Sequence, residues 1–102
     1  VYTDQGVFNI EVNTSTEKYL NVRNFSFITN AYSKYFLRGE NYNADMKFIQ
    51  INLSYNRNQK ELCEVYKVCN ENNDTYIDNF IIYEFNMDKY NNFWYNHNQN
   101  TK

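Results

Sequence analysis

The sequence predicts a single α/β or α+β domain built on a mixed β-sheet. The chain has 102 residues, which is enough for one domain with a small core. A strand-like segment is followed by one long segment of helical periodicity and then by a second strand-like segment. A strand–helix–strand unit of this length favours a right-handed crossover that leaves its two strands parallel. The later segments predict a β-hairpin and a short C-terminal helix.

The first half of the chain carries the first strand and the long helix. In "VFNIEVN", residues 7–13, alternate residues are apolar, which predicts a strand with one polar face. From Glu17 onward apolar residues recur at spacings of three and four, which predicts a helix of about twenty residues. Residues 14–16 are expected to cap it, and Arg38 and Gly39 to end it. One stripe of aromatic and aliphatic residues on this helix is expected to pack in the core: Phe25, Ile28, Tyr32, Tyr35 and Phe36.

The second half carries three strands and the short helix. "MKFIQINLSY", residues 46–55, alternates and predicts a strand. "ELCEVYKVC" and "TYIDNFIIYEFNM" predict a hairpin around the polar turn "NENNDT", although the first of these segments also fits a helical period. Asp88 is expected to cap the last helix, in which Phe93 and Trp94 would cover the end of the sheet.

Composition excludes some classes of function. The net charge of −2 gives no general basic footprint for nucleic acid. No apolar run is long enough to span a membrane, and no signal-peptide pattern is present. Cys63 and Cys69 lie six positions apart within one element, too far for a disulfide whether it is a strand or a helix. Two free thiols favour a reducing compartment, so a cytoplasmic location is expected.

Four stretches, taken in order, resemble one protein family. They are "GVFNIEVN", "RNFSFITNAYSKYFLRGENY", "MKFIQINL" and "NFIIYEFNMDKYNNFW". The set is similar to the PD-(D/E)XK nuclease-like transposase family, which includes the recombination-promoting Rpn nucleases. In that family the helix after the motif strand ends at Gly-x-x-Tyr, here Gly39 and Tyr42. The resemblance covers nearly the whole chain and implies a restriction-endonuclease-like core in a bacterial or phage protein.

The resemblance implies DNA cleavage that depends on Mg²⁺ or Mn²⁺. Glu11 matches the motif glutamate and would be a metal ligand, because Mg²⁺ prefers hard oxygen ligands. Asn13, two residues on and on the same face of the strand, stands where the family motif has Lys, and many relatives carry Gln or Asn there. Lys18 or Arg23 would supply the missing cation, and Gln50 on the neighbouring strand would approach Glu11.

The chain departs from the family pattern at the first metal-binding aspartate. By the resemblance, this aspartate would lie immediately before Val1. Asp4 lies in the turn and is more typical of a turn former. The resemblance therefore describes residues 1–102 as one nuclease-like domain that lacks its N-terminal helix and first motif Asp. We expect weak or no activity from this chain alone, and self-association through an uncovered edge or face of the sheet.

Three alternatives remain open at this point. The first is a degenerate interaction module that keeps the nuclease-like fold without the chemistry. The second is a small β-rich surface domain of a parasite or phage, which only the Asn- and Tyr-rich composition suggests. The third concerns only the candidate site. In this alternative, Glu11 and Asn13 lie on an ordinary strand face that is exposed to solvent and have no role in a site.

Overall fold

The computed structural model describes residues 1–14, 18–38, 43–55 and 61–98. The predictions for the cap at residues 15 and 16, for a helix start at Glu17, and for Gly39 and Tyr42 lie outside these residues. Elsewhere the elements follow in the predicted order, and the α/β class is confirmed. They are β1 (Gly6–Asn13), α1 (Lys18–Phe36), β2 (Lys47–Ser54), β3 (Cys63–Lys67), β4 (Phe80–Asn86) and α2 (Met87–Asn98).

The four strands form one mixed sheet in the order β1-β2-β4-β3. Strands β1 and β2 are parallel, as the crossover argument predicts, and β4 is parallel to β2 on its other side. Strand β3 pairs antiparallel with β4, which confirms the hairpin. The turn between them is closed by a bridge from Cys69 to Thr75, and Asn73 adopts a φ of 66°, a conformation that Asn tolerates better than most residues.

A short N-terminal hairpin precedes β1. Tyr2 bridges antiparallel to Val7, and the amide of Phe8 donates to the carbonyl of Val1 at 2.8 Å. Glycine avoids a tight contact at the start of β1, because a Cβ at Gly6 would lie 3.0 Å from the carbonyl oxygen of Lys47. Within the described residues, the outer edge of β1 has no further partner strand along residues 9–13.

The apolar core lies where α1 crosses the amino ends of the parallel strands. Val7, Phe48 and Phe80 are buried beneath Ile28, and the ring of Tyr32 lies 4.9 Å from that of Phe48. Four of the five aromatic and aliphatic residues predicted as the core stripe of α1 therefore pack as expected.

Phe25 is the exception in the core stripe of α1. Its side chain is 51% exposed, and its ring makes an edge-to-face contact with that of Phe80. It lies on the flank of α1 nearest β4, where the helix does not cover the sheet. The prediction that Phe25 is a core residue is wrong.

The last helix differs from its prediction in two ways. Its N-cap is Asn86, whose Oδ1 accepts a hydrogen bond from the amide of Lys89 at 3.1 Å, so Asp88 lies within the first turn instead of capping it. Phe93 and Trp94 are 52% and 57% exposed, so they do not cover the sheet.

The remaining sequence predictions concern the thiols and the membrane. Cys63 and Cys69 are both free, as predicted. Neither of the two described helices is long and apolar enough to cross a membrane.

Candidate functional site: a polar cluster at the carboxyl ends of the parallel strands

The face of the sheet beneath α1 changes from apolar to polar along the strands. At the amino ends it carries the buried Val7, Phe48 and Phe80, which are neighbours in the register. Toward the carboxyl ends the same face carries amide, carboxylate and hydroxyl groups, at the edge where parallel sheets bind their ligands. We call these side chains, with the one that α1 adds, the polar cluster: Asn9, Glu11, Asn13, Asn24, Gln50, Asn52, Ser54 and Glu84.

Hydrogen bonds cross the polar cluster from strand to strand and end on two carboxylates. Asn9 donates to Gln50 at 2.9 Å and, more weakly, to Glu11 at 3.4 Å. Gln50 donates to Asn52 at 2.7 Å, and Asn52 donates to Glu84 at 2.9 Å. A buried amide left without a partner costs about 1–3 kcal/mol, so these mutual bonds allow polar side chains inside a small core.

Asn24 connects α1 to two strands of the polar cluster. Its Nδ2 lies 3.3 Å from Oδ1 of Asn52 and 3.4 Å from Oδ1 of Asn13. Asn13 in turn donates to Ser54 at 3.1 Å, and the Ser54 hydroxyl donates to Glu84 at 2.5 Å. The amino half of α1 is therefore held by these hydrogen bonds as well as by the buried side chain of Leu20, whereas its carboxyl half packs through apolar contacts.

The structure brings together three of the five predicted site residues. Glu11, Asn13 and Gln50 all belong to the polar cluster, and Gln50 reaches Glu11 through Asn9. Asn13 is only 3% exposed, which excludes a solvated strand face at that position.

The two predicted cations are not part of the polar cluster. The side chains of Lys18 and Arg23 are exposed on α1, and no hydrogen bond or ion pair joins either side chain to another residue that the structure describes. No contact therefore connects either of them to Glu11, and the helix presents both to solvent.

Sequence reasoning missed Glu84 and its partners. Glu84 is 3% exposed and occupies the centre of the sheet, where a carboxylate is unusual. The available signal was the pattern in which Gln50, Asn52 and Ser54 alternate with apolar residues in β2. That pattern predicts a two-faced strand, but it does not say which face is buried.

Three carboxylates lie along one row of the register. Glu11 is opposite Asn52, Asn52 is opposite Glu84, and Glu84 is directly opposite Glu64 on β3. Like charges that face each other on neighbouring strands repel. Burial raises the pKa of the adjacent Cys63 thiol, and the negative charges of Glu64 and Glu84 raise it further.

Glu11 fits one position of a Mg²⁺ site. Its carboxylate is partly exposed, and the bond it accepts from Asn9 is long at 3.4 Å. Glu84 fits less well, because its two oxygens accept hydrogen bonds from Asn52 and Ser54. Among the described residues, no group of three or more His, Cys, Asp and Glu side chains is placed to hold a metal ion. Of the two carboxylates in the polar cluster, Glu11 is therefore the more accessible to a cation.

A groove of about 540 Å³ opens beside the polar cluster, between α1 and the β3–β4 hairpin. Phe25 of α1 and Tyr66 of β3 belong to its walls, and Gln50, Asn52 and Glu84 contribute to its lining from the sheet. The groove therefore opens onto the buried end of the hydrogen-bond network.

Comparison of the chain with protein-family models, with curated proteins and with solved structures found no match.

Proposed function

We propose that this chain is part of a metal-dependent DNA endonuclease of the kind that its motif order resembles, acting in the cytoplasm. The observation that carries the proposal is the position of Glu11. Its carboxylate is partly exposed on an edge strand, on the face where the neighbouring parallel strands end in oxygen-bearing side chains. The carboxyl edge of parallel strands is the usual place for a ligand in an open α/β sheet.

Each group at this edge has a role in the proposal. Glu11 is a ligand of Mg²⁺ or Mn²⁺, and Asn9 orients its carboxylate. When bound, the cation supplies Lewis-acid chemistry at the phosphate. Lys18 and Arg23 are exposed on α1, so they can contact the phosphate backbone of DNA. Helix α1 also begins at this edge, and the positive end of its dipole favours bound anions.

The second carboxylate ligand comes from outside the described residues. The outer edge of β1 has backbone groups along residues 9–13 that can pair with another strand, and that strand would lie next to Glu11. The proposal assigns this position to a strand that carries an acidic residue, supplied by a longer form of the chain or by a second chain.

The test is Mg²⁺-dependent nicking of supercoiled duplex DNA. If the reading frame continues upstream of Val1, the longer chain is assayed beside the 102-residue chain. Glu11→Ala is expected to lower nicking by roughly a hundredfold, because even residues that only support metal ligands are worth 10–100-fold. Glu71→Ala, a change in the exposed turn before β4, is the matched control and should leave nicking unchanged. In a chain that nicks DNA before substitution, equal nicking by the Glu11 and Glu71 variants would exclude the assigned role of Glu11.

A second candidate function is a non-catalytic interaction module with the same fold. The observation that favours it is the burial of Asn13, which occupies the position of the motif lysine and is engaged with Ser54 and Asn24. A side chain held in this way supports the sheet and does not reach a substrate. Metal binding at Glu11 separates the two candidates, since only the nuclease proposal requires it.

A further inference from the structure

The face of the sheet opposite α1 is apolar and partly open to solvent. Parallel strands such as β1, β2 and β4 are ordinarily covered by helices on both faces, whereas α1 packs on only one face of this sheet. Within the described residues, the second face therefore lacks its usual helix. We call it the apolar face, and two registered rows form its centre: Ile10, Ile51 and Tyr83, and Val12, Leu53 and Phe85.

Helix α2 carries an aromatic stripe that the described part of the chain does not bury. Tyr90, Phe93 and Trp94 are three and four residues apart, so they lie on one side of the helix. These three side chains are between 45% and 57% exposed, and the ring of His97 stacks on Phe93 with the ring centroids 3.9 Å apart. A surface helix normally packs its apolar stripe against a core, so the stripe is a contact surface in search of a partner.

We propose that the apolar face binds α2 of a second copy of the chain, in a reciprocal dimer. Each copy places its aromatic stripe on the sheet of its partner and receives the partner's α2 on its own sheet, as two-fold symmetry requires. Each sheet then has a helix on both faces, its own α1 and the α2 of the second copy. The same contact covers both of the apolar surfaces that a single copy leaves exposed.

The area of this contact is sufficient for a reversible dimer. Since an aromatic side chain buries 150–250 Å², three half-exposed rings offer about 300 Å² on each helix. The sheet loses a similar area and the contact occurs twice, so the dimer buries about 1,200 Å² in total, the lower end of the range for specific interfaces.

The dimer is independent of the proposed function. The apolar face and the polar cluster lie on opposite faces of the sheet, because neighbouring residues of a strand point to opposite sides. The partner's α2 therefore does not cover Glu11. Metal binding and nicking test Glu11, whereas association of the chain tests the dimer.

The experiment follows the fluorescence of Trp94, the only tryptophan of the chain, beside the mass from light scattering. Tryptophan emission moves to shorter wavelength when the indole ring leaves water for apolar surroundings. From micromolar to millimolar protein, we expect the mass to rise from monomer to dimer and the emission to shift to shorter wavelength over the same range. Within one copy, no Cα atom of β1 lies within 8 Å of one in α2, so β1 makes no direct contact with the reporter's helix.

Two pairs of variants provide the matched comparison. Tyr90→Lys is expected to raise the dissociation constant of the dimer at least roughly tenfold, because it removes one ring of the aromatic stripe. Tyr95→Lys makes the same change on the other side of α2 and should leave the dissociation constant unchanged. Ile10→Lys should abolish the emission shift of Trp94, whereas Val22→Lys, at an exposed position of α1, should preserve it.

Three results would each overturn the proposal. The first is a monomeric mass at millimolar protein. The second is a dimer in which the emission of Trp94 does not change, as expected if the copies pair only through the edge of β1. The third is an equal effect of the two tyrosine variants on the dissociation constant, with circular dichroism showing that both keep the fold.

Discussion

The side chain of Asn24 shows how hydrogen bonds stabilise the buried polar cluster. Its side chain is 2% exposed and donates to Asn52 and Asn13 on two neighbouring strands. A small core cannot leave such groups unpaired, because the desolvation of each amide must be offset by a hydrogen bond. The exposed Asn30 lies on the same helix and makes no comparable contact with the sheet.

Asn24→Ala is therefore expected to lower the free energy of unfolding by about 2 kcal/mol, since two buried amide oxygens lose a donor. Asn30→Ala, the control on the exposed face of α1, should change it by less than about 0.5 kcal/mol. Urea denaturation measures both. Equal midpoints for the two variants would mean that the contacts of Asn24 do not hold α1 on the sheet.

Cys63 provides a prediction about pH. Its pKa is raised first by burial and then by the charges of Glu64 and Glu84, so the folded protein favours the protonated thiol. The contribution of this thiol to stability is complete below its unfolded pKa and is lost as the pH rises through the folded value. In a Cys69→Ser background, the alkylation rate of Cys63 should reach its midpoint at higher pH in the folded protein than in urea.

Glu64→Gln is the companion measurement for Cys63. Removal of one negative charge should move the alkylation midpoint of the folded protein back toward the value in urea, because that charge raises the pKa. A folded midpoint that already equals the urea value would contradict the assigned environment of the thiol.

At the scale of the element, α2 depends on a cap that lies at the end of β4. Asn86 is 3% exposed and its Oδ1 accepts from the amide of Lys89. The sheet therefore positions the first turn of the helix, which has no buried side chain of its own. Asp88, in that first turn, interacts favourably with the helix dipole.

Asn86→Ala is expected to cost at least about 1 kcal/mol of stability and to reduce the helical signal in circular dichroism. Asp88→Ala should cost no more than about 0.5 kcal/mol, the value of a charge near a helix end. The reverse order of the two effects would show that Asp88 is the cap after all.

The elements were predictable from the sequence because each depends on local periodicity. Strands β1 and β2 alternate, α1 repeats at three and four residues, and the parallel crossover follows from the length between the strands. The burial of the polar face was not predictable from those patterns. Alternation shows which residues share a face, but the position of α1 decides which face is covered. The hydrogen bonds of Asn24 to Asn13 and Asn52 join residues far apart in the sequence, so no local pattern predicts them. The exposure of Phe25 has the same cause.

At the scale of the whole molecule, the sheet has an apolar face opposite α1. At the β1 edge of this face, Ile10 and Val12 are 58% and 59% exposed. The central strands add six further side chains to this face: Ile49, Ile51, Leu53, Ile81, Tyr83 and Phe85. Exposed apolar patches of this kind on an edge strand favour association with another chain.

We therefore expect the chain to self-associate at high concentration. The double variant Ile10→Lys and Val12→Lys should shift the mass from light scattering toward the monomer, because charges on an edge strand oppose pairing. Val22→Lys places the same charge on α1, at a side chain of similar exposure, and should leave the mass unchanged. A monomeric mass for the unmodified chain would remove this expectation.

The most direct test of the central claim is Mn²⁺ binding at Glu11, followed by electron paramagnetic resonance of the free ion. We expect the unmodified chain to bind Mn²⁺, Glu11→Ala to weaken this binding by roughly tenfold or more, and Glu71→Ala to leave it unchanged. Equal Mn²⁺ affinity in the two variants, or no binding by the unmodified chain at millimolar Mn²⁺, would contradict the assignment of Glu11 as a metal ligand and favour the interaction module.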